Sequence, residues 1–556
     1  MHLPHSRCRL YSALALALAI VSPAMAQQVI ADGDEQNPAA GDYATTEPVE
    51  PGNPAGHAFL AVNGGTIIPA GEVNLRTDGL RAAAARAEGV GSSIQLTGGQ
   101  VMTTGHGAAG LSASAGGHVQ AVGTRIETLG TTSHGAESLA GRIQLEGVDI
   151  VTRGGLSHGV TVRGGEAQIH DSTITVHGSQ SHGLEAVGGT LQAERVRIEV
   201  GSSGQGLWAE GSSDVTLRSV QIDGSGAGAS GVLVGLGSKV LLEDVDINLT
   251  HERSGMGLFV GGELEMRGGS VHARGDNASA VSFATGGGGV LRLMGVELSG
   301  HHGIHMTEGA DLTLQNSQLD SVSTGINMNQ RDVVAKVTGS SITTQNGVGI
   351  LMQNGDLTVE GSTITSDGTY WQAISVLGGT AHVTSSRLRT LGQNGHGLYA
   401  EGAAGVRPVA TASVIDILTE GHGAIGAIAR LGGTVHLADS VVRTTGVNSH
   451  GVLSGGTGEM TLNNTHVRTE GEGAWAAVIN DNGRMRIDGG SLVSAQHGGV
   501  WLRSSRDAGL TLSNGALVSG GNGIALALDA AVAGRFDVVL EGGSQMEGDI
   551  VITPED

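Results

Sequence analysis

Residues 181–189 read SHGLEAVGG, and the run TLQAERVRI follows them directly at 190–198. Apolar residues in the second run recur at nearly every other position, as in a β-strand with one buried face. The Gly-Gly pair between the two runs supplies a turn. A second copy, residues 394–402, reads NGHGLYAEG. Repetition of one such unit along a chain is typical of a solenoid, in which each unit packs on its neighbours.

Each copy of the repeat is marked by one residue, the one that precedes the small turn residue. These marker residues, spaced by roughly 24 residues, are His57, Asp78, His106, His134, His158, His182, Gln205, Ser230, Met256, Ser279, His302, Thr324, Val348, Gln372, His396, His422, His450, Glu472, His497 and Asn522. Each period has room for two or three short strands, and no helical period competes with them. The sequence therefore predicts an all-β fold, a right-handed parallel β-helix of about 20 coils. Its length would be on the order of 90 Å.

Composition limits which residues can form the core and which partners the chain can bind. Aromatic residues form 2% of the chain and hydrophobic residues 39%, so the core must be built from Val, Leu, Ile and Ala in thin layers. The 96 glycines come with only 9 prolines and without a strict three-residue period, which excludes collagen. A formal net charge of −23 argues against nucleic acid as a partner.

The N-terminal segment is typical of a secretory signal peptide. Residues 1–26 contain a positive start, a short apolar run, and Ala24 and Ala26 at the positions of the cleavage signal. The apolar run is too short for a transmembrane helix, so we expect no transmembrane segment in the mature chain. The single cysteine, Cys8, also lies in this segment. An exported protein without cysteine in its mature part is expected.

Composition also divides the rest of the chain. Residues 27–56 are acidic, polar and rich in proline, which predicts a flexible leader. Residues 57–535 carry the repeat and form the predicted β-helix. Residues 536–556 are predicted to be the truncated start of a C-terminal cap or autochaperone-like region.

Three stretches resemble the passenger domain of autotransporters, most closely the pertactin family of surface adhesins. The first is the repeat itself, with its His-Gly-aliphatic units and Gly-Gly turns. The second is residues 537–551, DVVLEGGSQMEGDIV, which is similar to the stretch that closes the pertactin β-helix. The third is the triplet Arg274, Gly275 and Asp276, because pertactin also carries RGD on a loop. The resemblance implies export, passage across the outer membrane of a Gram-negative bacterium, and display at the cell surface or release.

The sequence departs from that family in one respect. We expect neither the autochaperone segment nor a C-terminal membrane β-barrel after residue 556. We therefore expect that a translocator barrel acts in trans or has been lost. A passenger that is not translocated would stay in the periplasm.

The RGD triplet falls in a turn after a strand, so we expect it to be exposed. In an integrin-type contact, Asp276 would complete a metal site on the receptor and Arg274 would pair with an acidic group. The alternative is a chance match, because the chain's own Arg, Gly and Asp content yields one RGD in roughly one such sequence in five.

The other candidate chemistry is interpreted as structural. The histidines at one corner would form a column of stacked or turn-bonding imidazoles, and no metal site or cofactor is predicted because a repeat corner offers no convergent ligands. Asp244 and Asp246, two residues apart, would face the same way on a strand and are interpreted as a solvated face. The four tryptophans are too widely spaced in the sequence to suggest a sugar-binding platform. No catalytic residue is predicted.

The leading hypothesis is a non-enzymatic surface adhesin, associated with virulence, that binds a host cell-surface receptor or matrix protein. Two alternatives remain open. One is a secreted carbohydrate-active β-helix enzyme, a polysaccharide lyase or hydrolase, because such enzymes share this fold. The other is a truncated passenger that is never displayed.

Overall fold

The computed structural model describes residues 28–50, 55–201, 203–403, 405–503, 507–529 and 534–553. Every regular element in these ranges is a β-strand. No helix in the described ranges is long and apolar enough to cross a membrane. The predicted signal peptide, residues 1–26 with Ala24 and Ala26, lies outside the described residues.

The strands of the first half of the chain are β1 Val29–Asp32, β2 Glu35–Gln36, β3 Gly41–Thr45, β4 Phe59–Val62, β5 Thr66–Ile67, β6 Val73–Thr77, β7 Ala85–Glu88, β8 Ser93–Thr97, β9 Gln100–Thr103, β10 Leu111–Ser114, β11 His118–Val122, β12 Arg125–Thr128, β13 Ala136–Leu139, β14 Arg142–Glu146, β15 Asp149–Thr152, β16 Val160–Arg163, β17 Glu166–His170, β18 Thr173–Val176, β19 Leu184–Val187, β20 Thr190–Glu194, β21 Arg197–Val200, β22 Gln205–Glu210, β23 Asp214–Arg218, β24 Gln221–Gly224, β25 Ser230–Val234, β26 Lys239–Leu249, β27 Leu258–Val260, β28 Glu263–Ala273, β29 Ser279–Phe283 and β30 Val290–Met294.

The strands of the second half are β31 Glu297–Gly300, β32 His302–Met306, β33 Asp311–Gln315, β34 Gln318–Ser321, β35 Ile326–Met328, β36 Val334–Thr338, β37 Ser341–Thr344, β38 Ile350–Met352, β39 Asp356–Glu360, β40 Thr363–Ser366, β41 Ile374–Val376, β42 Thr380–Thr384, β43 Arg387–Thr390, β44 Leu398–Glu401, β45 Val409–Ser413, β46 Asp416–Thr419, β47 Ala427–Arg430, β48 Thr434–Ala438, β49 Val441–Thr444, β50 Val452–Gly455, β51 Glu459–Asn463, β52 His466–Thr469, β53 Ala477–Ile479, β54 Arg484–Asp488, β55 Ser491–Ser494, β56 Val500–Leu502, β57 Ala508–Ser513, β58 Leu517–Asp529, β59 Phe536–Leu540 and β60 Gln545–Thr553.

The strands form three parallel sheets, because each coil contributes one strand to each sheet and pairs with the coils before and after it. The first sheet contains β1, β4, β7, β10, β13, β16, β19, β22, β25, β27, β29, β32, β35, β38, β41, β44, β47, β50, β53, β56 and the second halves of β58 and β60. The second contains β2, β5, β8, β11, β14, β17, β20, β23, the first halves of β26 and β28, β30, β33, β36, β39, β42, β45, β48, β51, β54, β57 and β59. The remaining strands and half-strands form the third.

The predicted fold class is confirmed: the chain is a right-handed parallel β-helix. Its core is a set of stacked rows, since alternate residues of each strand point inward and lie over their counterparts in the next coil. Ile94, Val119 and Ile143 form one such row in the second sheet, and all three are fully buried. Each row shields its neighbours, so the apolar residues of a narrow coil suffice for a continuous core.

The N-terminal boundary of the helix differs from the sequence-based expectation. Residues 27–56 were predicted as a flexible leader, but strands β1, β2 and β3 pair in parallel with β4, β5 and β6. Ala31 and Tyr43 of this first coil are buried, and the Tyr43 ring meets the Phe59 ring edge-on at 5.0 Å. Few inward-facing apolar residues are enough for an edge coil, which packs on one side only, and so its composition is that of a loop.

The boundary at residue 535 is also not a structural one. Strands β59 and β60 pair in parallel with β57 and β58, so residues 536–553 continue the β-helix by one coil. Residues 554–556 lie outside the described part of the chain.

Strand pairing also corrects six of the marker residues. The register aligns Ala83, Ala109, Ile425, Trp475, Gly498 and Ile524 with the remaining markers, in place of Asp78, His106, His422, Glu472, His497 and Asn522. In these coils the long corner between the third and first sheets has a different sequence. In these coils, a marker chosen by a His-Gly or Gly-rich match therefore lies a few residues before the position that the strand register assigns.

Candidate ligand-binding groove

Three histidines form a stacked column at the long corner of consecutive coils. His134, His158 and His182 precede strands β13, β16 and β19 at equivalent positions. The ring centroids of His134 and His158 are 4.8 Å apart, and those of His158 and His182 are 4.6 Å apart, with nearly parallel planes. The stacking distance equals the spacing of parallel strands, so the rings stack because the coils do.

Backbone hydrogen bonds fix the tautomer of each ring. The backbone N–H of His158 donates to Nδ1 of His134 at 3.1 Å, and the N–H of His182 donates to Nδ1 of His158 at 3.0 Å. Gln205 N–H donates to Nδ1 of His182 at 3.2 Å. A nitrogen that accepts a hydrogen bond carries no proton, so each ring is a neutral imidazole with its proton on Nε2. Burial lowers the pKa of all three histidines to about 4, which agrees with that assignment.

A buried carboxylate lies beside the column. Glu185 is the second residue of β19, on the outward face of the first sheet, and is 8% exposed. The Thr161 hydroxyl donates to its Oε2, and Nη2 of Arg163 donates to the same oxygen at 3.2 Å. Nε2 of His158 lies 3.4 Å from its Oε1. Burial raises the pKa of Glu185, but the neighbouring His158, the Thr161 hydroxyl and Arg163 outweigh it, so the net shift is downward and the carboxylate stays ionised.

Trp208 lies at the end of the histidine column, next to His182 and Glu185. It occupies the position next to Glu185 in the following coil, and its ring meets the His182 ring at 4.8 Å with a tilt of 39°. Together the residues line a groove of about 740 Å³, within the usual range of ligand sites. We call this feature the histidine groove; its principal lining residues are His158, Arg163, His182, Glu185 and Trp208.

Known proteins that are similar to this chain include an autotransporter. No family model matches the chain. Over 320 residues it is 26% identical to the BrkA autotransporter of Bordetella pertussis, in an alignment that covers 51% of this chain and 30% of that protein. The chain is an autotransporter-passenger-like protein. The chain thus spans less than a third of the length of this curated relative.

A solved structure covers more of the chain with weaker similarity. One polypeptide in the cryo-EM structure of the Vag8–C1 inhibitor complex aligns with 94% of this chain and with 100% of its own length. The TM-score is 0.40 and the sequence identity is 14%.

The RGD triplet of the chain lies in the long corner between β28 and β29. Arg274 and Asp276 are exposed, as expected, whereas Gly275 is buried. The backbone N–H of Asp276 donates to the Glu252 carbonyl at 2.9 Å, and the N–H of Gly275 donates to the Ser254 hydroxyl at 3.1 Å. The triplet is therefore a rigid corner held by the preceding coil, with two charged side chains projecting from it.

The sequence predicted no metal site because a repeat corner offers no convergent ligands, whereas the structure brings three candidate ligands together. The candidate ligand atoms of His158, His182 and Glu185 lie within 4.8 Å of one another. However, the two rings are stacked with only 3° between their planes, so their Nε2 atoms point in parallel rather than toward one point. In the neutral tautomer fixed by the backbone, each Nε2 also carries a proton.

Asp244 and Asp246 do not face the same way on a strand, so that part of the sequence-based expectation was wrong. Asp244 has φ 52° and lies at the bend between the second and third sheets. Asp246 belongs to the third sheet, where its Oδ1 accepts a hydrogen bond from the Ser270 hydroxyl at 2.7 Å. The two carboxylates thus do not share a strand face.

The structure brings two of the four tryptophans, Trp475 and Trp501, together. Trp208 and Trp501 lie on the same outward-facing row of the first sheet, and Trp475 lies in the adjacent corner column. The rings of Trp475 and Trp501 are 5.6 Å apart and stacked at 26°. Only Trp371 lies elsewhere, in a long corner. Because equivalent positions recur once per coil, residues far apart in sequence share one row.

The central residues of the groove, Glu185 and Trp208, were not predicted as site residues. Glu185 stands within the quoted repeat unit, where a charged residue on an outward strand position is ordinary. The usable signal was the set of equivalent positions in consecutive coils, which hold Glu137, Thr161, Glu185 and Trp208. Reading the repeat in columns would have shown these residues together.

Proposed function

We propose that the passenger is exported to the surface of a Gram-negative bacterium, or released from it, and acts there as a non-enzymatic adhesin. Its partner would be a host cell-surface receptor or matrix protein, and its role would be associated with virulence. The observation that carries the proposal is the exposure of Arg274 and Asp276 on a corner whose backbone is hydrogen-bonded to the preceding coil.

The chemistry of this corner suits an integrin-type receptor. Asp276 would supply a carboxylate to a metal ion on the receptor, and the Arg274 guanidinium would pair with an acidic group there. A corner fixed before binding loses little conformational entropy when it docks, which favours affinity.

An adhesion assay tests this proposal. Purified passenger with Asp276→Glu should support at least fivefold less attachment of integrin-bearing cells, because the longer side chain displaces the carboxylate. Asp367→Glu is the matched control, since Asp367 is an exposed acid in the long corner of another coil. Equal attachment to the wild-type and Asp276→Glu proteins would rule out the RGD contact.

A carbohydrate-active enzyme is the second candidate, and one observation favours it. Glu137 and Glu185 lie on the same row, two strands apart, so their Cα atoms are separated by roughly 10 Å. Burial raises the pKa of Glu137, whereas the pKa of Glu185 is lowered, as in an acid and base pair. Glu185 lines the histidine groove and Glu137 lies outside its lining, which favours binding over cleavage. Release of reducing sugar or unsaturated product from pectin-like polymers would support the enzyme instead.

A further inference from the structure

The histidine groove combines features that the RGD corner does not use. It presents the Trp208 ring, the carboxylates of Glu185 and Glu210, the Arg163 guanidinium and the side chains of Gln180 and Gln205 on a single surface. The first sheet that forms its floor has all of its strands paired on both sides here, so no edge is free to receive a peptide strand.

We propose that the histidine groove is a binding site for a neutral oligosaccharide. The Trp208 ring would pack against the apolar face of a pyranose, and planar polar side chains would hydrogen-bond to its hydroxyl groups. Such sites combine an apolar wall with a few fixed polar groups. This proposal is independent of the RGD contact, because the two sites share no residue.

The polar groups of the groove are held in place before a ligand arrives. Glu185 is fixed by the Thr161 hydroxyl and by Arg163, and the His182 ring is fixed by Gln205 N–H at 3.2 Å. The ionised carboxylate accepts hydrogen bonds only, whereas Arg163 and the proton on Nε2 of His182 donate. A ligand with several hydroxyl groups, each both donor and acceptor, matches this mixture.

Charge selects a neutral sugar over an acidic one. The cationic Arg163 is already paired with Glu185, and Glu210 adds a second carboxylate to the lining. The whole chain has a net charge of −23, which opposes the approach of a polyanion. A uronate polymer is therefore a poor ligand for this groove.

The chain offers a replacement for Trp208 that its own fold accepts. Leu233 occupies the same position in the next coil, so Trp208→Leu should fold normally. Trp371→Leu is the matched control, because Trp371 is an exposed tryptophan in a corner outside the groove. Glu185→Gln keeps the shape of the side chain and removes its charge.

The experiment is calorimetric titration of the full chain with cellotetraose, maltotetraose, mannotriose and N,N′,N″-triacetylchitotriose, with tri-galacturonate as the acidic probe. At least one neutral probe should bind with a Kd between about 10 μM and 1 mM, and tri-galacturonate should not. Trp208→Leu and Glu185→Gln should each weaken binding at least tenfold, while Trp371→Leu and Asp276→Glu should leave it unchanged.

Two results would overturn the proposal. One is the absence of binding by every neutral probe at 10 mM with a correctly folded protein, judged by its circular dichroism spectrum. The other is binding that Trp208→Leu and Glu185→Gln leave intact, since the sugar would then occupy a different surface. Loss of cell adhesion in Asp276→Glu without loss of sugar binding would separate this site from the RGD contact.

Discussion

At the scale of single residues, the histidine column determines how the protein responds to acid. His134, His158 and His182 are neutral and buried, and each accepts a backbone hydrogen bond through Nδ1. Protonation of Nδ1 would break that bond and place a charge in a desolvated stack. His396 and His450 make the same kind of bond to the next coil, and burial also lowers their pKa to about 4.

The pH dependence of stability follows from these shifts. The unfolded chain takes up protons near pH 6.5, whereas the folded column does so only near pH 4. Between these values the unfolded state binds more protons, so stability falls as the pH falls from about 6.5 to about 4. The loss amounts to about 3 kcal/mol for each such histidine.

We therefore expect His158→Gln to flatten the pH dependence. Gln205 occupies the same column in another coil, so the replacement fits the fold. The urea midpoint of the wild-type protein should fall between pH 7 and pH 4.5, and that of the variant should fall less. His106→Gln, which removes an exposed histidine outside the column, is the control. Equal slopes for wild type and His158→Gln would contradict the assignment of a neutral buried ring.

At the scale of the element, most coils carry a glycine directly before the first-sheet strand, because close packing leaves little room there for a side chain. Gly159 precedes β16, and a Cβ atom there would overlap the Ile174 Cγ2 atom of the same coil and the Gly183 carbonyl oxygen of the next. The Gly159 backbone does not adopt a positive φ. The reason for glycine is therefore space, and its conformational freedom is not used.

The residue in the third sheet determines whether alanine is accepted at this position. Where the third-sheet partner is Ile or Val, with a methyl group on Cβ, glycine is usual. Alanine stands opposite leucine in the pairs Ala58 and Leu75, Ala280 and Leu298, Ala373 and Leu388, and Ala476 and Leu492. Ala84 with Val101 and Gly303 with Leu319 depart from this pattern. For Gly303, the carbonyl of Gly325 excludes a side chain; nothing in the structure explains Ala84.

This compensation predicts a rescue. Gly159→Ala should destabilise the protein by about 1–3 kcal/mol through overpacking. Adding Ile174→Leu should recover at least half of that loss, because the leucine branch lies one carbon further from the backbone. Gly509→Ala is the control, since only the end of the Arg484 side chain lies near its added Cβ. Additive effects of Gly159→Ala and Ile174→Leu in urea unfolding would show that the two positions do not interact.

At the scale of the whole molecule, stability is a sum over neighbouring coils. Each coil contacts the ones before and after it, so a complete coil is the unit that can be lost without disturbing the rest. Ile326 and Ile350 are partners in the register of the first sheet. Residues 326–349 therefore make one full turn of the helix.

Removal of this coil should leave a folded rod. Deleting residues 326–349 joins Gly325 to Ile350 with every row kept in register, and the circular dichroism per residue should not change. The rod should shorten by about 4.8 Å. Deleting residues 326–337 instead brings a second-sheet segment into the first sheet and should abolish most of the β-sheet signal. Similar signals from both deletions would show that register does not govern the fold.

The sequence by itself determined the coil. Alternation of apolar residues, glycine-marked turns and a recurring period are properties of neighbouring residues, so the β-helix, its approximate coil number and the exposure of Arg274 and Asp276 could be predicted from them. The polar composition of residues 28–45 concealed the first coil, because an edge coil needs few apolar side chains.

Only the tertiary structure decided which residues share a row. Corners differ in sequence and length, so a match such as His106 falls outside the column that Ala109 occupies. The groove is a property of five consecutive coils, in which Glu185 and Trp208 become neighbours through strand pairing. The same pairing directs the backbone N–H groups of His158, His182 and Gln205 to the imidazole of the preceding coil. Hydrogen bonds between coils fix this register, and no pattern within one coil records it.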